Sequence, residues 1–315
     1  MTASARLAIL ALGLGLAAAI FMLWDLAPAT GFILELRATK LATLLIVGVA
    51  VGTATIAFQT VSANRILTPS IMGFDALFLL IQTGLVVVLG GLGFALLPGL
   101  AKFTAESVIM MGCALLLFGV LLGRVGNDIE RLVLTGIIFG TLFRAITAFL
   151  QRILDPSEFA MVQGVMFASF GGGDPFEIAI AGLVTLAAAV GLLWLAGDLD
   201  ALALGRPAAI PLGVAVDRLR WIVLSLVSAM VAASTALVGP LAFLGLLVAS
   251  LAHAAMPSYH HRHLLPAAAL IAAIILVAGQ TVFERLLQMQ STLAVLIEFA
   301  GGLLFLFLVL RGRAK

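Results

Sequence analysis

Runs of about 20 apolar residues recur along this chain, each closed by a short cluster of charged residues, glycine or proline. That length lets an α-helix cross a hydrocarbon core roughly 30 Å thick. The runs predict ten spans, over residues 7–26, 41–61, 71–97, 107–122, 132–150, 176–196, 221–238, 241–256, 264–283 and 293–310. Between the fifth and sixth, residues 157–170 are apolar but short, bracketed by Asp155-Pro156 and Gly171-Gly172-Gly173, and read as a re-entrant or interfacial helix. No stretch shows the two-residue alternation of a membrane strand, so a β-barrel is not expected.

One internal stretch, residues 199–220, cannot sit in lipid. It reads LDALALGRPAAIPLGVAVDRLR: Gly205, Pro207, Pro211 and Gly213 break a continuous helix, and Asp200, Arg206, Asp217, Arg218 and Arg220 carry charge. Apolar runs resume on both sides, so the loop is reached from one side of a membrane. Its arginines assign that side to the cytoplasm.

Composition agrees with the pattern. Of 315 residues, 63% are hydrophobic and 10% charged, and the mean hydropathy is +1.25. The expectation is an all-α polytopic membrane protein forming a single transmembrane domain over residues 1–315. Three lysines and fourteen arginines, scattered through spans and loops, form no basic patch for nucleic acid. With the N-terminus inside, eleven of these fall on inner segments and five on outer ones, with Arg144 left within a span. This bias places both termini in the cytoplasm. The first run is long for a signal-peptide core, so it reads as a retained span, although Ala27 to Ala29 could mimic a cleavage site. Ten spans divided by the long loop suggest two inverted halves of five.

Candidate chemistry is sparse. Gly48, Gly52, Thr55 and Gln59 share one face of the second span, and Gly136, Gly140, Arg144, Thr147 and Gln151 one face of the fifth; for the glycines close helix packing is the simpler reading. Arg144 is costly in lipid unless paired or hydrated, and Glu298 in the last span lies at a similar depth. The pair reads equally as a structural tie or as pathway lining. His260, His261 and His263, with His253 nearby, read as a solvated inner loop without the convergent ligands of a metal site. Cys113 lies in an apolar run and reads as an inert buried residue. Neither cofactor nor catalytic residue is expected. None of Lys40, Lys102 and Lys315 sits in a nucleotide-binding loop, so any energy from ATP must enter through another subunit.

Several stretches together resemble the membrane permease subunits of bacterial ABC importers for iron-siderophore complexes and cobalamin, the FecCD type. LALGRPAAIPLGV, residues 202–214, is similar to that family's coupling-loop signature. ELRATK, residues 35–40, resembles its basic element before the second span. GPLAFLGLLVASLAH, residues 239–253, and HHRHLLPAAAL, residues 260–270, are similar to two further elements. The chain departs from the pattern at Ala38-Thr39, at Arg206-Pro207, where an acidic start is usual, and at Ala249-Ser250. Its ending, residues 293–311, resembles the ferric catecholate branch more than the cobalamin branch.

The resemblance implies a permease with the ten-span fold, working as a homodimer or with a close homologue. Its partners would be two ATPase subunits and a periplasmic substrate-binding protein, with membrane lipid around it. Leu202, Ala203, Leu204, Gly205, Arg206, Leu212 and Gly213 would engage the ATPase. Arg37, Lys40 and Arg285 would meet acidic residues of the binding protein as exposed charges. Arg144, Thr147 and Glu298 would line the pathway. The implied cargo is a ferric siderophore. Cobalamin, haem or free metal is the alternative within the fold, and an ion-coupled secondary transporter using Arg144, Glu298 or Asp75 is the rival of another class.

Overall fold

The computed structural model describes residues 2–25, 30–125, 129–171, 173–286 and 293–312. Every regular element among them is helical. In chain order they are α1 (Ala3–Leu23), α2 (Thr30–Val61), a π-helical turn (Ser70–Phe74) leading into α3 (Asp75–Ala95), α4 (Gly99–Val125), α5 (Ile129–Gln151) and α6 (Pro156–Gly164). The second half holds α7 (Pro175–Trp194), α8 (Ala196–Ala203), α9 (Arg206–Ala209), α10 (Val216–Val238), α11 (Leu244–Ala255), α12 (His261–Thr281) with a closing π-helical turn (Val282–Leu286), and α13 (Leu293–Gly312). The Ala27 to Ala29 stretch and Gly172 lie outside the described residues.

Among the described residues, eight helices are long and apolar enough to cross a membrane. The anticipated last span is matched by α13, helical over 20 residues. One anticipated span, the eighth, is shorter. In α11 only 12 residues are helical, about 18 Å of rise at 1.5 Å per residue, too little for a full crossing. Gly239 and Pro240 are the reason: Gly239 ends α10 and the chain runs irregularly to Leu244. The freed carbonyl of Val238 accepts the Ser169 N–H at 2.7 Å. The segment predicted over 157–170 is helical for only 9 residues, 156–164. Glu158 fixes it, accepting the Gly91 N–H of α3 at 2.9 Å.

The centre of the bundle is α2. Its small residues let it lie directly on α12 along one side, with α10 and α7 packed on others. Leu44, Val47, Ala50, Ala54, Ala57 and Phe58 are all buried there. The packing reading of the glycines holds for both spans. Gly48 and Gly52 abut the backbone of α12, while Gly136 and Gly140 of α5 receive Met72 and Gly73 of the π turn before α3. The outer helices α1, α4 and α7 turn leucine, isoleucine and phenylalanine outward, as a lipid-facing surface requires.

Candidate functional site

Of the stretch 199–220, residues up to 215 fold as a compact arm, whereas Val216 to Arg220 already form the first turn of α10, with Arg220 buried, so the loop ends earlier than the sequence predicts. Helix α8 ends at Leu204, and Gly205 takes φ +93°, a left-handed conformation that breaks the chain into the short α9. Gly213, at φ +86°, turns it again into α10. Arg206 and Asp217 close the arm with two hydrogen bonds of 2.6 and 3.1 Å. That hydrogen bond raises the Arg206 guanidinium above its ordinary value. Leu202 and Ala209 point into the bundle, whereas Leu204, Ile210 and Leu212 are 69%, 53% and 63% exposed. Ala203 and Gly213 are exposed beside them. The arm therefore offers a small apolar patch on a rigid support.

A cavity of about 870 Å³ opens beside the arm, bounded by Gln59 of α2 and Arg65 after it, Leu202 and Leu204 on the arm, His253 of α11 and Tyr259 between α11 and α12. Here the histidine reading needs correction. His261 is not in a solvated loop but is the first residue of α12 and only 2% exposed. Nor is it without a carboxylate, because Asp200 of α8 lies 2.6 Å from its Nδ1. Asp200 also accepts the His261 backbone N–H at 2.8 Å and lies 2.9 Å from His260 Nδ1. Burial alone would raise this carboxyl; the hydrogen bonds from His261 and His260 outweigh it and hold Asp200 below the usual carboxylate range. The histidines gather no metal-ligating cluster among the described residues.

The opposite end of the bundle holds the three predicted docking cations, and the structure alters their character. Helix α2 begins at Thr30, so Arg37 and Lys40 belong to it and are not part of a loop. Arg37 is 5% exposed and donates to the carbonyls of Met22, Trp24 and Asp25 at 2.7, 2.8 and 3.0 Å. It is a cap on the end of α1, where unsatisfied carbonyls favour a cation, and is not the exposed charge expected. Lys40 is ion-paired with Glu284 at 2.9 Å, and Gln280 donates to the same oxygen at 2.7 Å. Arg285 is half-buried and lies within electrostatic reach of Arg37. The three cations thus do converge, but around Glu284 and the α1 carboxyl end. Arg37→Leu should lower the thermal midpoint of the purified protein by several degrees, because the buried guanidinium's hydrogen bonds to three carbonyls at the end of α1 are lost. Arg37→Lys should recover only part of that loss, since one ammonium cannot match the guanidinium fork. A midpoint unchanged by Arg37→Leu would remove the capping role.

Among the described residues, Arg144 and Glu298 form no ion pair with each other within 4.0 Å. Both interact electrostatically with Asp75, at the start of α3. Arg144 is exposed on the surface of this single chain, and Glu298 is half-buried. Thr147 is buried, and its hydroxyl donates to the Phe143 carbonyl of its own helix at 2.8 Å. Sequence reasoning missed Asp200 and Glu284, since each partner lies more than 60 residues away along the chain. Asp75 was visible as an isolated charge, but not as a neighbour of the other two.

Comparison with known proteins places this architecture. The profile of the FecCD transport family matches residues 6–311. The petrobactin import system permease protein YclO of Bacillus subtilis strain 168 is 38% identical over 93% of this chain and 92% of its own length. The corresponding FatC of Bacillus anthracis is 34% identical over 90% of this chain and 80% of its own. A solved structure described as a metal-chelate type ABC transporter in an inward-facing conformation superposes with a TM-score of 0.85 at 24% identity, covering 98% of this chain and 99% of that one. The arm between α8 and α10, the bundle built on α2 and the likeness along nearly the whole chain lead to one assignment: this multi-pass membrane protein belongs to the FecCD transport family.

Proposed function

We propose that this chain is the membrane permease of an ATP-driven importer that carries a ferric siderophore of the petrobactin kind. The observation that carries the cargo is the likeness to two petrobactin permeases over most of both lengths. The arm supports the mechanism: a rigid projection bearing Leu204, Ile210 and Leu212 is a place for an ATPase subunit to grip. The chain's three lysines stand in no nucleotide-binding loop, so hydrolysis belongs to that partner. Two ATPase subunits, a second permease copy and a substrate-binding protein on the far side complete the assembly. Both termini lie on the ATPase side.

Transport proceeds by alternating access: ATP closes the ATPases, the arms follow, and the bundles shift between outward and inward states. Arg144, Glu298 and Asp75 supply polar lining to a pathway that the second copy completes. The exposure of Arg144 in the single chain fits that reading, because a guanidinium facing lipid would be costly. Binding-protein docking falls to Lys40 and Arg285 at the far end, with Arg37 holding the ground beneath them.

The test is uptake of radiolabelled iron, supplied as petrobactin or as a hydroxamate chelate, in cells with and without the gene, with ATP retained or depleted. Loss of ATP-dependent uptake for petrobactin alone is the expected result. Unchanged uptake of both chelates would reassign the cargo to cobalamin, haem or another metal. Transport that survives ATP depletion would point to a secondary transporter.

A further inference from the structure

Besides the apolar contacts of Leu199, Leu202 and Ala209, the arm is tied to the bundle by a chain of part-buried polar contacts. Asp200, in the middle of α8, receives the Nδ1 of His261 at 2.6 Å and its backbone N–H at 2.8 Å. On the other edge of the same ring, Nε2 lies 2.7 Å from the hydroxyl of Thr60, in the last turn of α2. One imidazole therefore joins three helices: the arm, the start of α12 and the end of α2.

Donor and acceptor accounting shows how tightly this contact is specified. An ionised Asp200 can only accept, so Nδ1 of His261 must carry a proton. The Thr60 hydroxyl has one proton and two takers, the Ile56 carbonyl at 3.0 Å and His261 Nε2. If the ring is neutral, Thr60 donates into Nε2; if the ring is charged, Nε2 donates to Thr60 and the hydroxyl turns to Ile56. Both arrangements keep the line continuous. Because His261 is 2% exposed, water does not replace either partner cheaply. A displacement of α8 must pull the ring, and the ring must pull α2 and α12. These two helices are packed directly on each other through Gly48 and Gly52. Helix α2 then runs from Thr60 about 35 Å to Arg37 and the cation cluster at the far end.

We propose that Asp200, His261 and Thr60 are positioning residues that carry movement of the α8–α9 arm into α2 and α12, and so couple ATP hydrolysis to transport. The inference rests on the reading of the arm as the motor dock.

Two substitutions at one position separate a link from a mere anchor. His261→Asn keeps an amide donor where Nδ1 was and can hold Asp200, but falls short of Thr60. His261→Gln reaches toward Thr60 and leaves Asp200 without its ring partner. The complex of permease, ATPase and binding protein is reconstituted in liposomes, and petrobactin iron transported per ATP hydrolysed is measured. Both variants should lose about tenfold in that ratio, within the range of ordinary coupling between sites, while hydrolysis continues. Thr60→Val should do the same, and Thr60→Ser, which keeps the hydroxyl, should match wild type. A normal ratio in either His261 variant, or transport and hydrolysis falling together, would overturn the link.

Hydrogen exchange on the permease alone, in nanodiscs, gives a readout that needs no motor. Amides of α8 and α9 should exchange faster in His261→Gln and at the wild-type rate in His261→Asn. Equal exchange in all three proteins would also overturn the link. If exchange behaves as expected while the wild-type complex hydrolyses ATP without moving petrobactin, the cargo assignment fails and the link stands.

Discussion

Gly52→Val will cost this permease its fold, and Gly52→Ala will measurably weaken it. A Cβ at position 52 would stand 2.6 Å from the carbonyl oxygen of Ala268 and 2.8 Å from its carbonyl carbon, and one at position 48 would stand 2.8 Å from Ala273 Cα. Those obstacles are backbone, which cannot swing aside like a flexible side chain. The only relief is separation of α2 from α12, which would loosen the contacts of Leu44, Val47, Ala268 and Ala272 together. Overpacking a core costs about 1–3 kcal/mol where side chains can adjust, so a branched residue against a fixed helix should exceed that range. Thermal unfolding in detergent, followed by monodispersity on gel filtration, would show it. Gly84→Ala and Gly112→Ala are the controls, because nothing lies within 4 Å of a Cβ at either position. Should Gly52→Ala melt with the wild type while behaving like these controls, the close seam between α2 and α12 would be wrong.

How much of this was legible in the sequence depends on the range of the interaction. Helices reveal themselves locally, through run length and through breakers such as Gly205, Pro207 and Gly213, so each predicted span falls on an observed helix, although α2 and α10 begin earlier than expected and α11 is shorter. The seam glycines were legible too, because a four-residue spacing places Gly48 and Gly52 on one face whatever they meet. Burial of charge was not legible. Arg37 looked like an exposed docking residue because its partners are backbone carbonyls of Met22, Trp24 and Asp25, which leave no signature in side-chain identity. His261 looked solvated because Asp200, its partner, lies 61 residues away. The start of α2 was missed because Arg37 and Lys40 resemble a polar boundary. Their charges are satisfied at the edge of the bundle, so the helix continues through them.

Leu204→Asp with Leu212→Asp will abolish ATP-driven transport without unfolding the permease. Both leucines are exposed in the isolated chain, at 69% and 63%, so the substitutions remove nothing from its core, and the midpoint of thermal unfolding should stay within a degree or so of wild type. Their worth appears only when a partner covers them. Burying one leucine contributes about 1.5–3 kcal/mol, and a carboxylate forced into the same apolar contact adds a desolvation cost. With each 1.4 kcal/mol equal to about tenfold in affinity, the double variant should bind its ATPase at least about a hundredfold more weakly. Co-purification of the ATPase should be lost, and uptake with it. Breaking the neighbouring Arg206–Asp217 contact should matter much less. Asp217 is 71% exposed at its side chain, and pairs so exposed are worth about 0–1 kcal/mol. Arg206→Ala is therefore expected to leave most ATPase binding in place. The apolar patch, with the charged closure beneath it as support, then carries the grip. A double leucine variant that retains its ATPase at the wild-type ratio would show that the motor docks elsewhere, and the arm would lose its assigned role.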